Sequence, residues 1–146
     1  MLSDNLKTLL GTTFVYYTKA HGFHWNVEGP DFPQYHKFLG KLYEEVYESI
    51  DRIAEYIRTL DTYSPGSLAR MLELSILEEQ NLIPRAELMM AELLRDTNTY
   101  IDFLNECFAV AEEENQQGIA NFIAERLDAM NKHAWMIRSI LKKQRA

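Results

Sequence analysis

The stretch HGFHWNVEGPDFPQYHKFLGKLYEEVYESIDRIAEYIRTL, residues 21–60, decides the fold. One helix ends inside it and another begins. Glu28-Gly29-Pro30 reads as a tight turn. Asp31 then reads as an N-cap, with Gln34 three residues on as capping-box partner and Pro33 suited to a first helical turn. From Phe32 to Leu60 the apolar positions Leu39, Leu42, Val46, Ile50, Ile53 and Ile57 recur at helical spacing. Upstream, Leu6, Leu10, Phe14, Tyr17, His21 and His24 fall on one stripe of a helix spanning Ser3 to Asn26, with Ser3 as its cap and Trp25 at the edge of the stripe.

The rest of the chain repeats the pattern. Thr62-Tyr63-Ser64-Pro65-Gly66-Ser67 is a break, and Ser67 caps a short helix reaching Leu74. A third long helix is predicted over Asn81–Ala111, with Leu88, Leu93, Ile101 and Leu104 as core candidates. Glu112 to Gly118 reads as a polar connection. A fourth long helix is predicted over Ile119–Lys143, with Phe122, Leu127, Trp135, Ile137 and Leu141 apolar. No strand alternation and no internal repeat occur. The expectation is an all-α four-helix bundle, one domain over residues 1–146, with the short helix in the long connection of an up-down-down-up arrangement.

Composition narrows the function. Of 146 residues 47% are hydrophobic and 25% charged, which is globular rather than disordered. One cysteine, Cys107, excludes an intrachain disulfide framework and points to the cytoplasm. No leader pattern and no apolar run of membrane-spanning length is visible. A net charge of -7 repels phosphate backbones, so nucleic-acid contact needs a local basic patch.

Three of the four histidines, His21, His24 and His36, lie within sixteen residues, and Asp51 and Glu55 follow at i, i+4 spacing. Imidazole with carboxylate is a ligand set for iron, zinc or manganese. His24 and His36 stand six residues either side of Pro30, so two helices folded back at that turn bring them face to face. His36 and Asp51 are fifteen residues apart on one helix, roughly 22 Å at 1.5 Å per residue. One chain therefore cannot bring all four to one metal. A two-fold axis crossing the second helix near Glu44 can, by setting His36 of one chain against Asp51 and Glu55 of another. Each signal taken singly also fits an ordinary bundle: a satisfied helical histidine, or an acid pair on a solvated face beside Arg52 or Arg58. No histidine has a Glu three residues before it, which argues against the in-bundle Glu-x-x-His di-metal site.

The elements His24-Trp25-Asn26, Gly29, Phe32, His36 and Asp51-x-x-x-Glu55, with the closing stretch KHAWMIRSIL around His133 and Trp135, resemble the Dps proteins, the mini-ferritins of starved cells. The resemblance covers nearly the whole chain. It implies a homo-oligomer, a hollow dodecamer built from two-fold dimers, that binds ferrous iron between two-fold mates, oxidises it and stores ferric oxide against oxidative stress. His24 and His36 would be ligands from one subunit and Asp51 and Glu55 from the other, with Trp25 as a neighbouring electron donor.

There are departures from that family's pattern. The Asp usual four residues after the second histidine is Gly40 here. That implies either close helix approach or a deleted second-iron ligand, and the latter has the larger consequence: a second iron bound weakly or through water. Lys37 and Lys41 add positive charge nearby. Where the family's pores usually carry aspartates, this chain has Gln117 and Asn121, leaving Glu112, Glu113 or Glu114 to attract iron. Arg138, Lys142, Lys143 and Arg145 form the one small basic cluster, which also complements a helix dipole; weak DNA binding at most is expected. Cys107, Met89, Met90, Met130 and Met136 read as core, His133 as structural, and His21 as packing beside the site. The rival reading is a shell-forming or DNA-compacting protein with a decayed ferroxidase site; a plain structural bundle is the third.

Overall fold

The computed structural model describes residues 1–143. Five helices follow one another: α1 (Leu2–Asn26), α2 (Phe32–Thr59), the short α3 (Leu68–Leu74), α4 (Ala86–Glu113) and α5 (Gln117–Leu141). There is no strand among the described residues. The four long helices form a bundle, and α3 lies in the connection between α2 and α4. Contacts fix the directions. Lys7 of α1 reaches Thr62 just past α2, while His24 meets His36 at the other end. Lys19 pairs with Glu92 and Asp96 of α4, whereas Leu2 bonds Glu114 at its far end. Both α2 and α4 therefore run against α1, which is the expected up-down-down-up order.

The core follows from spacing. Leu2, Leu6, Leu9, Thr13, Tyr16, Ala20 and Phe23 of α1 are buried at steps of three and four. They meet Leu39, Leu42, Val46, Ile53 and Ile57 of α2 and Met90, Leu93, Tyr100 and Leu104 of α4. Each large apolar side chain buried contributes about 1.5–3 kcal/mol before entropy is counted. The few hydroxyls inside are paired. Thr13 and Thr97 spend their protons on the Leu9 and Leu93 carbonyls. The Tyr100 hydroxyl therefore donates to Thr13 at 2.6 Å and that of Tyr16 to Thr97 at 2.8 Å. Gly11 lets α3 lie on α1: a Cβ there would run into the Met71 carbonyl and sit 2.9 Å from Leu74 Cβ.

Several boundaries differ from expectation. The first helix begins at Leu2 with Met1 as N-cap, so Ser3 is inside it. Asp31 is the N-cap of α2, but its side chain makes no capping bond, and the Gln34 capping box is not formed. Ser67 does cap α3, accepting from the Arg70 amide at 3.2 Å. The third long helix starts at Ala86 rather than Asn81, because Pro84 keeps the residue before it out of helical geometry. The polar connection shrinks to Glu114–Gln116. Asn115 adopts a left-handed φ of 59°, and the Asn115 and Gln116 amides return to the Glu112 and Ala111 carbonyls. That closing motif lets α4 run to Glu113. The last helix ends at Leu141, not Lys143. Leu88, expected in the core, is 47% exposed, and the apolar Trp135 of the last helix is 56% exposed.

Candidate metal centre

Gly29 and its neighbours turn the chain so that the last turn of α1 lies on the first turns of α2. There His24 and His36 clasp each other. His24 Nδ1 lies 2.7 Å from the His36 carbonyl, and His36 Nδ1 lies 2.8 Å from the His24 carbonyl. A carbonyl can only accept, so both Nδ1 atoms carry the proton and donate. Each Nε2 is left with a free lone pair. The rings stack at 3.8 Å with 15° between their planes. Bonding one imidazole nitrogen to a backbone carbonyl is how metal-binding histidines are commonly oriented and their other nitrogen made more basic.

Gly40 is part of this arrangement. A Cβ there would stand 3.0 Å from His24 Cε1 and 3.3 Å from its Nδ1. The missing side chain therefore gives the His24 ring its seat between the helices. Close approach, the lesser of the two consequences drawn from the sequence, is what the structure shows at this position. A carboxylate there would displace His24 as well as add a ligand.

Asp51 and Glu55 are exposed on the same α2, which runs unbroken from Phe32 to Thr59. The roughly 22 Å of helix rise between His36 and Asp51 is thus retained. Among the described residues no group of three His, Cys, Asp or Glu side chains is close enough to hold a metal ion. Trp25 is 67% exposed and contacts His21, with ring centroids 4.0 Å apart. His21 packs rather than joining the clasp: it stacks on Tyr43 at 3.7 Å and its Nδ1 lies 2.9 Å from the Tyr17 hydroxyl.

The bundle interior is occupied by ion pairs that sequence reasoning missed. Arg126, 6% exposed, makes two bonds to the Glu45 carboxylate, and His133 Nε2 donates to Glu45 Oε1 at 2.7 Å. Burial alone would raise the Glu45 pKa, but bonds from His133 and Arg126 outweigh it and hold it down at about 2. Further along, Lys19 bonds Glu92 at 2.8 Å and Asp96 at 2.7 Å. Two buried cations thus stand inside a bundle where a di-metal centre would need free carboxylates. His133 is structural, as expected; the sequence does not single out its partner, one acid among Glu44, Glu45 and Glu48.

Other candidates fall as follows. Cys107 is buried, as are Met89, Met90 and Met130, while Met136 is 36% exposed. Burial pushes the Cys107 thiol up to about 12. Lys37, Lys41, Gln117, Asn121, Glu112 and Glu113 are exposed, and Glu114 accepts the Leu2 amide. Arg138, Lys142 and Lys143 are exposed at the end of α5; Arg145 lies outside the described residues. No helix among the described residues is long and apolar enough to cross a membrane.

Comparison with known proteins agrees with this architecture. Residues 3–146 match the ferritin-like domain family, and the chain belongs to that class. DNA protection during starvation protein 2 of Bacillus anthracis is 30% identical over 127 residues, 87% of each chain. An uncharacterized low temperature-induced protein of a Nostoc species is 34% identical over 137 residues, 92% of this chain and 76% of the relative. The crystal structure of Dps from Staphylococcus aureus superposes with a TM-score of 0.94 at 29% identity, over 98% of this chain and 96% of that one. Within the ferritin-like class, the chain is a member of the Dps family.

Proposed function

We propose that this chain is the subunit of a cytoplasmic ferroxidase and iron store, a hollow dodecameric shell whose substrate is ferrous iron. In this reading two chains form each site. His24 and His36 of one copy supply neutral imidazoles, and Asp51 and Glu55 of a second supply carboxylates. The supporting observation is the reciprocal clasp, in which each Nδ1 is spent on a carbonyl and the Nε2 of each stacked ring keeps its lone pair. Two neutral and two anionic ligands balance the charge of a divalent ion, and the mixed nitrogen–oxygen set suits iron. With no carboxylate at position 40, one iron binds firmly and a second poorly. Oxidising ferrous iron and storing the product limits radical damage from peroxide. In this reading the Trp25 indole, packed on His21, is the neighbouring electron donor.

Mixed assembly tests the reading. His36→Ala shells and Asp51→Asn/Glu55→Gln shells should each oxidise ferrous iron poorly. Co-assembled dimers contain one site built only from intact residues, so activity should return to about half per dimer, since two-fold symmetry makes two sites. Absence of recovery in confirmed mixed particles would place the ligands within one chain or remove them from the chemistry. Full activity in both parent shells would favour the inert or DNA-compacting shell.

A further inference from the structure

Beside the clasp, on a flank of α1 and α2 outside the core, rings follow one another in contact. His21 lies against Trp25 and stacks on Tyr43 with 10° between the planes. Tyr17 lies 4.9 Å from Tyr47 and 6.0 Å from Tyr43, centroid to centroid. Tyr43 is 5.2 Å from His24. Spacing explains the cluster: Tyr17 and His21 are one turn apart on α1, Tyr43 and Tyr47 one turn apart on α2. Within the stack, the Tyr17 hydroxyl is hydrogen-bonded to His21 Nδ1 at 2.9 Å.

A phenol that loses an electron must lose its proton too, so the partner of its hydroxyl decides whether oxidation is easy. Burial, then Tyr47 and Tyr43, raise the Tyr17 pKa, which keeps it a phenol at neutral pH. A neutral imidazole has one ring nitrogen free to accept, and the 2.9 Å contact sets His21 Nδ1 in place to take the Tyr17 proton. The imidazolium formed on proton transfer would lie between the Trp25 and Tyr43 rings, a favourable setting for a cation.

We propose that Tyr17, with His21 as its proton acceptor, is a redox-active tyrosine that surrenders one electron to oxidants of the hydroxyl-radical class. The oxidant takes one electron and becomes hydroxide. The Tyr17 O–H bond breaks, the proton passes to His21 Nδ1, and a neutral phenoxyl radical remains on Tyr17. His21 then returns its proton to hydroxide, making water, so one hydrogen atom has left Tyr17 in all. A soluble thiol supplies a hydrogen atom to restore the phenol. The natural source of the oxidant, ferrous iron meeting peroxide, rests on the function proposed above; the tyrosine–histidine pair does not.

The test uses the assembled, metal-free protein and azide radicals made by pulse radiolysis, so that no iron chemistry is needed. Frozen samples are read by electron paramagnetic resonance and transients by absorbance. The expected result is a long-lived phenoxyl signal that is lost in Tyr17→Phe and kept in Tyr63→Phe, whose ring is 83% exposed and remote from the cluster. His21→Phe, which keeps a ring in the stack but removes the proton acceptor, should shorten the lifetime. An unchanged signal in Tyr17→Phe, or a wild-type signal confined to an indole radical, overturns the proposal. A second arm replaces azide radicals with ferrous iron and peroxide. The phenoxyl signal in the first arm but not the second would uphold the pair and count against the iron-oxidation reading instead.

Discussion

Replacing Gly40 by alanine sets two measurable effects against each other. Alanine in a helix interior is favoured over glycine by about 1 kcal/mol. The new Cβ, however, meets His24 Cε1 at 3.0 Å and Nδ1 at 3.3 Å. Both distances are tighter than ordinary carbon contacts, so the imidazole must move by a few tenths of an ångström. It has little freedom to do so. Nδ1 is held to the His36 carbonyl at 2.7 Å, and the ring is stacked on His36 at 3.8 Å. Losing that hydrogen bond costs about 1 kcal/mol. Global stability should therefore change by less than about 1 kcal/mol, the two effects nearly cancelling. Metal binding has no such compensation. Loss of the hydrogen bond that orients a ligating histidine typically lowers affinity about 10–100-fold. Urea denaturation and anaerobic ferrous calorimetry on the same preparation separate the two quantities. A variant stabilised by the full helix-propensity gain with undiminished affinity would refute the reasoning, because it would show that His24 is not confined by position 40. Gly40→Asp carries the same Cβ, so its affinity for the first iron should also fall, whatever the new carboxylate does for a second.

The remaining expectations concern the interior and the surface. The folded pKa of Glu45 is depressed, so its contribution to stability is present above the unfolded carboxylate range and is lost as pH falls toward about 2. Thermal melts between neutral pH and strong acid should show a shallower acid loss in Glu45→Gln, which is less stable at neutral pH because Arg126 loses its charged partner; parallel acid profiles would contradict this. Cys107, buried and with its thiol pushed up to about 12, should resist alkylation in the folded protein and react once denatured. DNA retention, if any, should collapse as salt rises and vanish in Lys142→Ala/Lys143→Ala/Arg145→Ala with iron oxidation intact; tight binding that survives the triple change at physiological salt would put the interface elsewhere.

The bundle was legible because apolar spacing at three and four residues is dictated by helix geometry and survives any packing detail. The ends were less so. A start at Ala86 depended on Pro84, and a helix reaching Glu113 depended on Asn115 taking a left-handed conformation that only the closing hydrogen bonds reveal. Leu88 and Trp135 carry apolar side chains at helical spacing yet face outward, because periodicity marks a face without saying what covers it. The facing of His24 and His36 was readable from their equal distances to Pro30. Their reciprocal carbonyl bonds were not, since they require backbone positions on two helices.

The same limit explains Glu45. On paper it is one acid among Glu44, Glu45 and Glu48; in the fold it alone receives Arg126 and His133 from α5. The consequence reaches past stability. A divalent ion inside the bundle would have to displace Arg126 from Glu45 or Lys19 from Glu92 and Asp96, leaving a buried cation unpaired at several kcal/mol, roughly 3–5 by analogy with broken buried pairs. That cost opposes a metal inside the bundle and favours the proposed reading, in which the outer clasp of His24 and His36 supplies the imidazole ligands. Asp51 lies about four helical turns from His36 on the same helix, and among the described residues no three His, Cys, Asp or Glu side chains gather to hold a metal ion. An interior filled with fixed ion pairs and a clasp whose proposed acids lie far along its own helix both favour the proposed reading, in which a second copy of the chain supplies Asp51 and Glu55.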